Sequence, residues 1–219
     1  MVPIMFVRLL KLPDEVKRKY DLSSLQHVVH AAAPCPPEVK QAMIDWWGPV
    51  IHEYYGATES GAVVHCDSKE WMENSGTVGK AHDNCEIRIL DVDGRELPAG
   101  QIGEVYMRNR NFPDFTYNNM DAKRREIERG ELITAGDVGY VNERGFLFLC
   151  DRSKDMIISG GVNIYPAEIE AVLHSMPGVQ DCAVFGIPDD EYGEAVAAVV
   201  EARPGVTLGA AEVRDYLRQ

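Results

Sequence analysis

The sequence predicts an α/β chain, more fully an α+β chain of several lobes, because its pattern changes twice along its length. Residues 1–75 alternate apolar strands with a helix, as in part of a parallel-sheet lobe. Residues 76–151 contain short alternating strands and predict a β-rich, barrel-like lobe. Residues 152–219 begin a small α+β domain whose last helix meets the end of the sequence, so we expect this C-terminal domain to be incomplete.

In the first lobe, two apolar runs flank a helical pattern. LQHVVHAAA at 25–33 predicts a buried strand, PCPPEVKQAMIDWW predicts a helix that starts at a proline, and PVIHEYY predicts the next strand. We expect one helix face to carry the apolar side chains of Val39, Met43 and Trp46 or Trp47. A strand, a helix and a second strand in this order favour a parallel sheet.

The remaining elements are shorter. CEIRILDVDGREL predicts a hairpin around Asp93-Gly94, IGEVYMRN a strand, and GYVNERGFLFL a second hairpin. In the last lobe, YPAEIEAVLHSM predicts a helix with Pro166 near its first turn, QDCAVFGI and AVAAVVEA predict strands, and LGAAEVRDYLRQ starts a helix.

Composition narrows the class of protein. The formal net charge of −13 opposes binding to nucleic acid or to an anionic membrane. The sequence has no apolar run of about 18 residues, and its start becomes charged too early for a signal peptide, so we expect a cytoplasmic protein. The five cysteines are odd in number and scattered, which favours reduced thiols. Cys35 has no legible basic neighbour that would activate it as a nucleophile. The His-Cys pairs near 65 and 82 lack the ligand spacing of zinc sites.

The stretch HEYYGATESG combines groups that suit a nucleotide at the carboxyl end of a strand. Gly56 would let a ligand approach the backbone, Thr58 offers a hydroxyl to a phosphate, and Glu59 offers a carboxylate oxygen to Mg²⁺. Tyr54 or Tyr55 would present a ring to a base. Taken alone, the residues also suit a turn in which Thr58 caps a short helix and the tyrosines only pack.

Two further segments extend this interpretation. Asp137 lies in a glycine-containing segment and would accept hydrogen bonds from a vicinal diol such as a ribose, although taken alone an Asp-Gly type turn explains it better. Arg152 suits a sugar phosphate or a surface ion pair. Gly160 and Gly161 form a turn before a helix, without the lysine that a phosphate-binding P-loop requires.

Three long motifs in order, EYYGATES, GDVGYVNERGFLFLCDRSKD and MIISGGVNIYPAEIE, resemble the acyl-adenylate-forming family. This family includes acyl-CoA synthetases, adenylation domains of peptide synthetases, and firefly luciferase. SSLQHVVHAAAPCPPEV is similar to the family's adenine-side strand and turn, where the family often has glycines at the positions of Ala31 and Ala32.

The resemblance implies a role for each matching residue. Tyr55 would stack on adenine opposite the turn that contains Ala32 and Ala33. Thr58 and Glu59 would be the catalytic residues, with Thr58 on the phosphates and Glu59 on Mg²⁺.

The later motifs imply roles as well. Asp137 and Arg152 would bind the ribose, and Lys154 would be the hinge of a mobile C-terminal domain. Gly160 and Gly161 would lie on a loop beside the channel for coenzyme A.

The implied activity is ATP-dependent conversion of a carboxylic acid to acyl-AMP and its transfer to coenzyme A, with ATP/AMP, Mg²⁺ and coenzyme A as cofactors. The aromatic segment NFPDFTYNN favours an apolar acid, of medium or long chain or alicyclic, and an oligomer is possible. The alternatives are an adenylation unit that serves a carrier protein, a luciferase relative, and a non-catalytic nucleotide-binding module.

Two family motifs are absent from the sequence. A phosphate loop of the type TSGTTGxPK would precede residue 1, and a lysine in a TxxGK segment would follow Gln219. We therefore expect an internal portion of a synthetase that does not complete adenylation by itself.

Overall fold

The computed structural model describes residues 1–218 and divides the chain into two compact units, the first at Met1–Leu149 and the second from Cys150 onward. The helices are α1 (Pro3–Leu10), α2 (Asp14–Lys17), α3 (Pro37–Trp47), α4 (Ser68–Glu73), α5 (Asp121–Glu126), α6 (Pro166–Ser175) and α7 (Ala210–Tyr216). Strands in the first unit are β1 (Val28–His30), β2 (Ile51–Ala57), β3 (Gly61–Cys66), β4 (Lys80–Ala81), β5 (Cys85–Leu90), β6 (Gly103–Asn109), β7 (Glu128–Arg129) and β8 (Leu132–Val141). The remaining strands are β9 (Leu147–Arg152), β10 (Ile157–Ser159), β11 (Val162–Ile164), β12 (Val179–Asp189) and β13 (Gly193–Ala202).

The first sheet has the strand order β1-β2-β3-β4. β1 and β2 are parallel, with Val28 opposite Ile51 and His30 opposite Glu53, which confirms the predicted parallel pairing. The other two pairings in this sheet are antiparallel. β1 is shorter than the predicted strand because Ala32 takes a φ of 75°, which turns the chain out of the extended conformation.

Helix α3 packs on this sheet. It begins at Pro37, where a missing N–H costs no helical hydrogen bond, and it ends before Gly48, whose φ is 82°. Met43 and Ile44 are buried, and Val39, Trp46 and Trp47 pack against the same core, so the predicted apolar face is confirmed. This core also contains Phe6 of α1, a helix that the sequence pattern did not predict.

The second sheet has the order β5-β6-β8-β7, with β9 on β8. Its core joins side chains of this sheet to two from β3: Val63, Val64, Ile89, Val105, Met107, Ile133 and Leu147. The predicted hairpin at 139–149 is confirmed by the β8–β9 pairing. At Asp93-Gly94 the chain turns as predicted, but the return arm makes only an isolated bridge between Glu96 and Leu90.

The second unit has a sheet of order β11-β10-β13-β12 with α6 packed on β12. Its core cluster contains the buried residues Ile157, Leu173 and Val184. The predicted helix and two strands of this unit are confirmed, and the α/β fold class with them. No helix among residues 1–218 is long and apolar enough to cross a membrane.

Candidate functional site

The turn between β2 and β3 presents Thr58 and Glu59. Thr58 is exposed, and Glu59 is half-buried. Ser60 holds this turn closed, because its hydroxyl accepts a hydrogen bond from the backbone N–H of Ala57 (3.0 Å) and donates to the carbonyl of Gly61 (2.9 Å). A hydroxyl and a carboxylate are therefore displayed side by side on a fixed turn, as the sequence motif predicted, rather than at the start of a helix.

Gly56 is required by the hairpin itself. A Cβ at this position would lie 2.0 Å from the carbonyl oxygen of Gly61, across the hairpin. The pairing of β2 with β3 also shifts register between Tyr55 and Gly56. The partner strand is thus a close neighbour that requires glycine here, and the approach of a ligand at Gly56 stays a prediction.

Tyr55 and Asp137 meet although 82 residues separate them. The Tyr55 hydroxyl donates a hydrogen bond of 2.6 Å to Oδ2 of Asp137, whose side chain is nearly buried. β2 supplies the tyrosine and β8 the aspartate. The structure thus joins the residue predicted to stack on adenine with the residue predicted to bind the ribose.

A β-bulge in β8 sets the direction of the Asp137 side chain. Glu104 pairs with Val138 and Tyr106 with Thr134, so a single residue of β6 faces three residues of β8. Within the bulge Gly136 has a φ of 80°, and its N–H donates to the hydroxyl of Thr134 at 2.9 Å. Bulges of this kind redirect side chains and occur beside functional sites.

The turn after β1 borders a groove of about 440 Å³. His30, Ala31, Ala32 and Tyr54 are among the lining residues. Ala31 is buried, whereas Ala32 and Ala33 are exposed. Tyr54 rather than Tyr55 therefore lies beside Ala32 at this groove, and the stacking role of Tyr55 stays a prediction.

A buried charged pair lies below this turn, and the sequence motifs did not indicate it. Lys40 of α3 donates to Oε2 of Glu53 on β2 at 2.6 Å, and both side chains are buried. Burial raises the pKa of Glu53 from its ordinary value of 4.5, although Lys40 opposes this shift. Burial also lowers the pKa of His30 to about 3, with Lys40 contributing, so His30 is neutral near pH 7.

Glu59 makes one side-chain contact that bears on metal binding. The Tyr117 hydroxyl donates to its Oε1 at 2.8 Å. Among residues 1–218, no three His, Cys, Asp or Glu side chains converge well enough to hold a metal ion. A lone carboxylate fits Mg²⁺ bound to a nucleotide, because Mg²⁺ commonly takes one or two carboxylates, and phosphate oxygens and waters as its other ligands.

The second unit carries the other predicted site residues. Arg152 ends β9, and Lys154 follows it in an exposed turn. Gly160 and Gly161 form the two-residue turn between β10 and β11, with φ values of 57° and 81° that suit glycine. These four positions are exposed or half-exposed within their unit.

Burial affects the acidity of four cysteine thiols. Burial raises the pKa of Cys35 and Cys66 to about 12, and that of Cys150 and Cys182 to about 11. A thiol with a raised pKa is largely protonated at neutral pH, and only the thiolate is a strong nucleophile. The raised pKa values of these four thiols therefore disfavour a nucleophilic role.

Comparison with known sequences decides the family. The sequence profile of the AMP-binding enzyme family matches residues 1–112, and that of the AMP-binding enzyme C-terminal domain matches residues 168–219. The chain belongs to the AMP-binding enzyme family. The motifs on which the resemblance rests lie on β2 and the turn after it, on β8 and β9, and from β10 through β11 into the start of α6.

Curated relatives of this AMP-binding enzyme are CoA ligases. It is 35% identical over its whole length to "4-coumarate--CoA ligase-like 9" of Oryza sativa subsp. japonica, covering 40% of that protein. It is 39% identical over 84% of its length to a 2-succinylbenzoate--CoA ligase of Bacillus cereus (strain Q1), covering 38% of that protein. The chain thus spans about two fifths of the length of these relatives.

Solved structures agree with this AMP-binding assignment. The amide bond synthetase of Marinactinospora thermotolerans matches with a TM-score of 0.90 and 31% identity, covering 100% of this chain and 45% of the other. The o-succinylbenzoate CoA synthetase of Bacillus subtilis, solved with its acyl-adenylate intermediate, matches with a TM-score of 0.87 and 30% identity, covering 100% and 43%.

Proposed function

We propose that this chain is part of an ATP-dependent acyl-CoA synthetase, an acid–thiol ligase that activates a carboxylic acid as acyl-AMP and transfers the acyl group to coenzyme A. The observation that carries the proposal is the hydrogen bond of 2.6 Å between Tyr55 and Asp137. It brings an aromatic ring and a diol-binding carboxylate together, as recognition of a nucleoside requires.

The residues of the first unit would divide the nucleotide between them. Asp137 would accept hydrogen bonds from the ribose, and Tyr55 and the turn at Ala32 and Ala33 would enclose the base. The hydroxyl of Thr58 would donate a hydrogen bond to the phosphates, and the Glu59 carboxylate would hold Mg²⁺. When bound, Mg²⁺ offsets the charge on the phosphates as pyrophosphate leaves.

The second unit would serve both half-reactions. Arg152 is a permanent cation suited to the sugar phosphate. Rotation of the second unit about Lys154 would present a different surface of that unit to the nucleotide. Gly160 and Gly161 would then lie beside coenzyme A. A domain rotation of this kind lets one site perform two unlike steps.

The proposal also includes the identity of the thiol acceptor and the class of carboxylic acid. Coenzyme A is favoured over a carrier protein because the curated relatives are CoA ligases. Those relatives are named for aromatic acids, whereas the sequence texture favours an apolar medium-chain, long-chain or alicyclic acid. An acid with a hydrocarbon portion is common to both, and one relative of this fold is named an amide bond synthetase, which keeps an acceptor other than coenzyme A as the alternative.

Calorimetric titration of AMP tests the nucleotide site. We expect the chain to bind AMP and Asp137→Ala to weaken binding at least tenfold, since a buried hydrogen bond to a charged group is worth about 1.5–3 kcal/mol. Asp93→Ala, in an exposed turn of the same unit, is the matched control and should bind like the wild type. Equal binding by the wild type and Asp137→Ala would contradict the proposed role of Asp137.

A further inference from the structure

One segment packs along the outside of the β2–β3 turn. It follows β6 and runs from Asn109 to Tyr117. The Asn109 amide donates to the carbonyl of Ala62 at 2.9 Å. Phe112 covers Gly61, where an added Cβ would lie 2.6 Å from the phenyl ring. The turn that carries Thr58 and Glu59 is thus braced at its base by residues far away in sequence.

Tyr117 makes the contact nearest to the predicted chemistry. Its hydroxyl donates to Oε1 of Glu59 at 2.8 Å. The ring itself is held from two sides, because Phe115 meets it edge to face at 5.4 Å and the Lys123 ammonium lies 5.1 Å from its centre. A phenol fixed in this way loses little further conformational entropy when it orients the carboxylate.

We propose that Tyr117 is a positioning residue that orients the Glu59 carboxylate for Mg²⁺ bound to the nucleotide. The inference rests on the proposed function, which gives Glu59 its metal. The hydrogen bond from Tyr117 to Oε1 fixes the rotation of the Glu59 carboxylate, and it thereby also fixes the direction of Oε2. The segment NFPDFTYNN, which the sequence suggested as part of an acid pocket, acquires a second role through this hydroxyl.

The physical basis is the orientation of a metal ligand by its hydrogen-bond partner. A single protein carboxylate gives Mg²⁺ few protein contacts, and octahedral coordination tolerates little error in the direction of the oxygen. Loss of a partner that orients a ligand typically lowers metal affinity about 10–100-fold. Removing the hydroxyl of Tyr117 should therefore weaken metal-dependent binding while leaving adenine and ribose recognition unchanged.

The test compares ATP binding with Mg²⁺ and with EDTA by calorimetry. We expect Tyr117→Phe to reduce the Mg²⁺-dependent gain in ATP affinity about tenfold. AMP binding without metal and the melting temperature should stay near wild-type values. Tyr20→Phe removes the hydroxyl of an exposed tyrosine in the same unit and is the matched control.

A double-mutant cycle with Glu59→Gln makes the test specific. If Tyr117 acts through Glu59, Tyr117→Phe has no further effect on the Mg²⁺-dependent gain once Glu59 is replaced. Additive effects would overturn the proposal, as would equal loss of ATP and metal-free AMP binding in Tyr117→Phe. Failure of the wild type to bind AMP would instead refute the proposed function, so the two failures are distinguishable.

Discussion

Ala32 holds a backbone conformation that favours glycine. Its φ is 75°, in the left-handed region, and its side chain is exposed at the turn beside the groove. For an L-residue this conformation costs roughly 1–2 kcal/mol. The methyl group of Ala32 therefore strains the backbone of this turn.

Replacing Ala32 with glycine should stabilise the first unit. Relief of the strain exceeds the unfolded-state entropy that glycine adds, about 0.4–1 kcal/mol, so we expect the free energy of unfolding to rise by up to about 1 kcal/mol. Urea denaturation measures the change. Ala33→Gly is the control: Ala33 has no positive φ, and the same substitution there should lower stability. A loss of stability in Ala32→Gly would contradict the explanation.

Residues that adjoin one another in a sequence motif were predicted, whereas residues whose partners lie far away in the sequence were missed. Thr58 and Glu59 adjoin each other in a motif, and the structure displays them together on one turn. Tyr117 lies 58 residues from Glu59, and nothing near it in sequence marks its partner. Lys40 looks like an ordinary exposed lysine of an amphipathic helix, yet it is fully buried because Glu53 lies opposite it.

Helix α3 and strand β2 are joined by the buried pair of Lys40 and Glu53, which predicts a strong effect of breaking it. Lys40→Met leaves the Glu53 carboxylate buried without its partner, and we expect a loss of about 3–5 kcal/mol near pH 8. The exposed Lys69→Met on α4 is the control and should have little effect. Denaturation of both variants by urea across a pH series measures the difference.

The pH dependence of this loss has a definite sign. A carboxyl whose pKa is higher in the folded than in the unfolded state stabilises the fold below the unfolded value, and loses that contribution as pH rises. Burial already raises the pKa of Glu53 above 4.5, and removal of Lys40 raises it further. The loss in Lys40→Met should therefore be smallest near pH 4.5 and grow toward pH 8. A loss independent of pH would contradict this explanation.

Helices and strands were predicted correctly where their apolar residues repeat with a clear helical or strand period. α3, β2, β6 and α6 were found because their apolar residues repeat at the helix or strand period. β1 ended early, since three successive alanines give the same apolar signal whether the backbone is extended or turned. The arm after Asp93-Gly94 formed only one bridge, because the turn and the alternating pattern do not determine how long the pairing continues.

For the whole molecule, an exposed turn lies just after the point at which the structure divides into two units. Between Arg152 and Ile157, the side chains of Arg152, Ser153, Lys154 and Asp155 are all exposed. Backbone contacts there are short-range, from Asp155 and Met156 to the carbonyl of Arg152. The charged texture of DRSKD led us to expect a boundary at 151–152, whereas the structure divides the chain after Leu149.

This connecting segment should be the first site of tryptic cleavage. Proteases cut where the chain opens at low cost, and exposed linkers between folded units open more readily than packed elements. Trypsin cleaves after Arg152 and Lys154, so mass spectrometry at short digestion times should show fragments that end at one of these residues. The basic run Lys123–Arg125 provides an internal comparison, since it lies in α5 and Arg124 is paired with Glu128. Replacing both residues, as Arg152→Gln with Lys154→Gln, should abolish the early fragments, whereas a first cut at any other site would show that this exposed segment is not the weakest point.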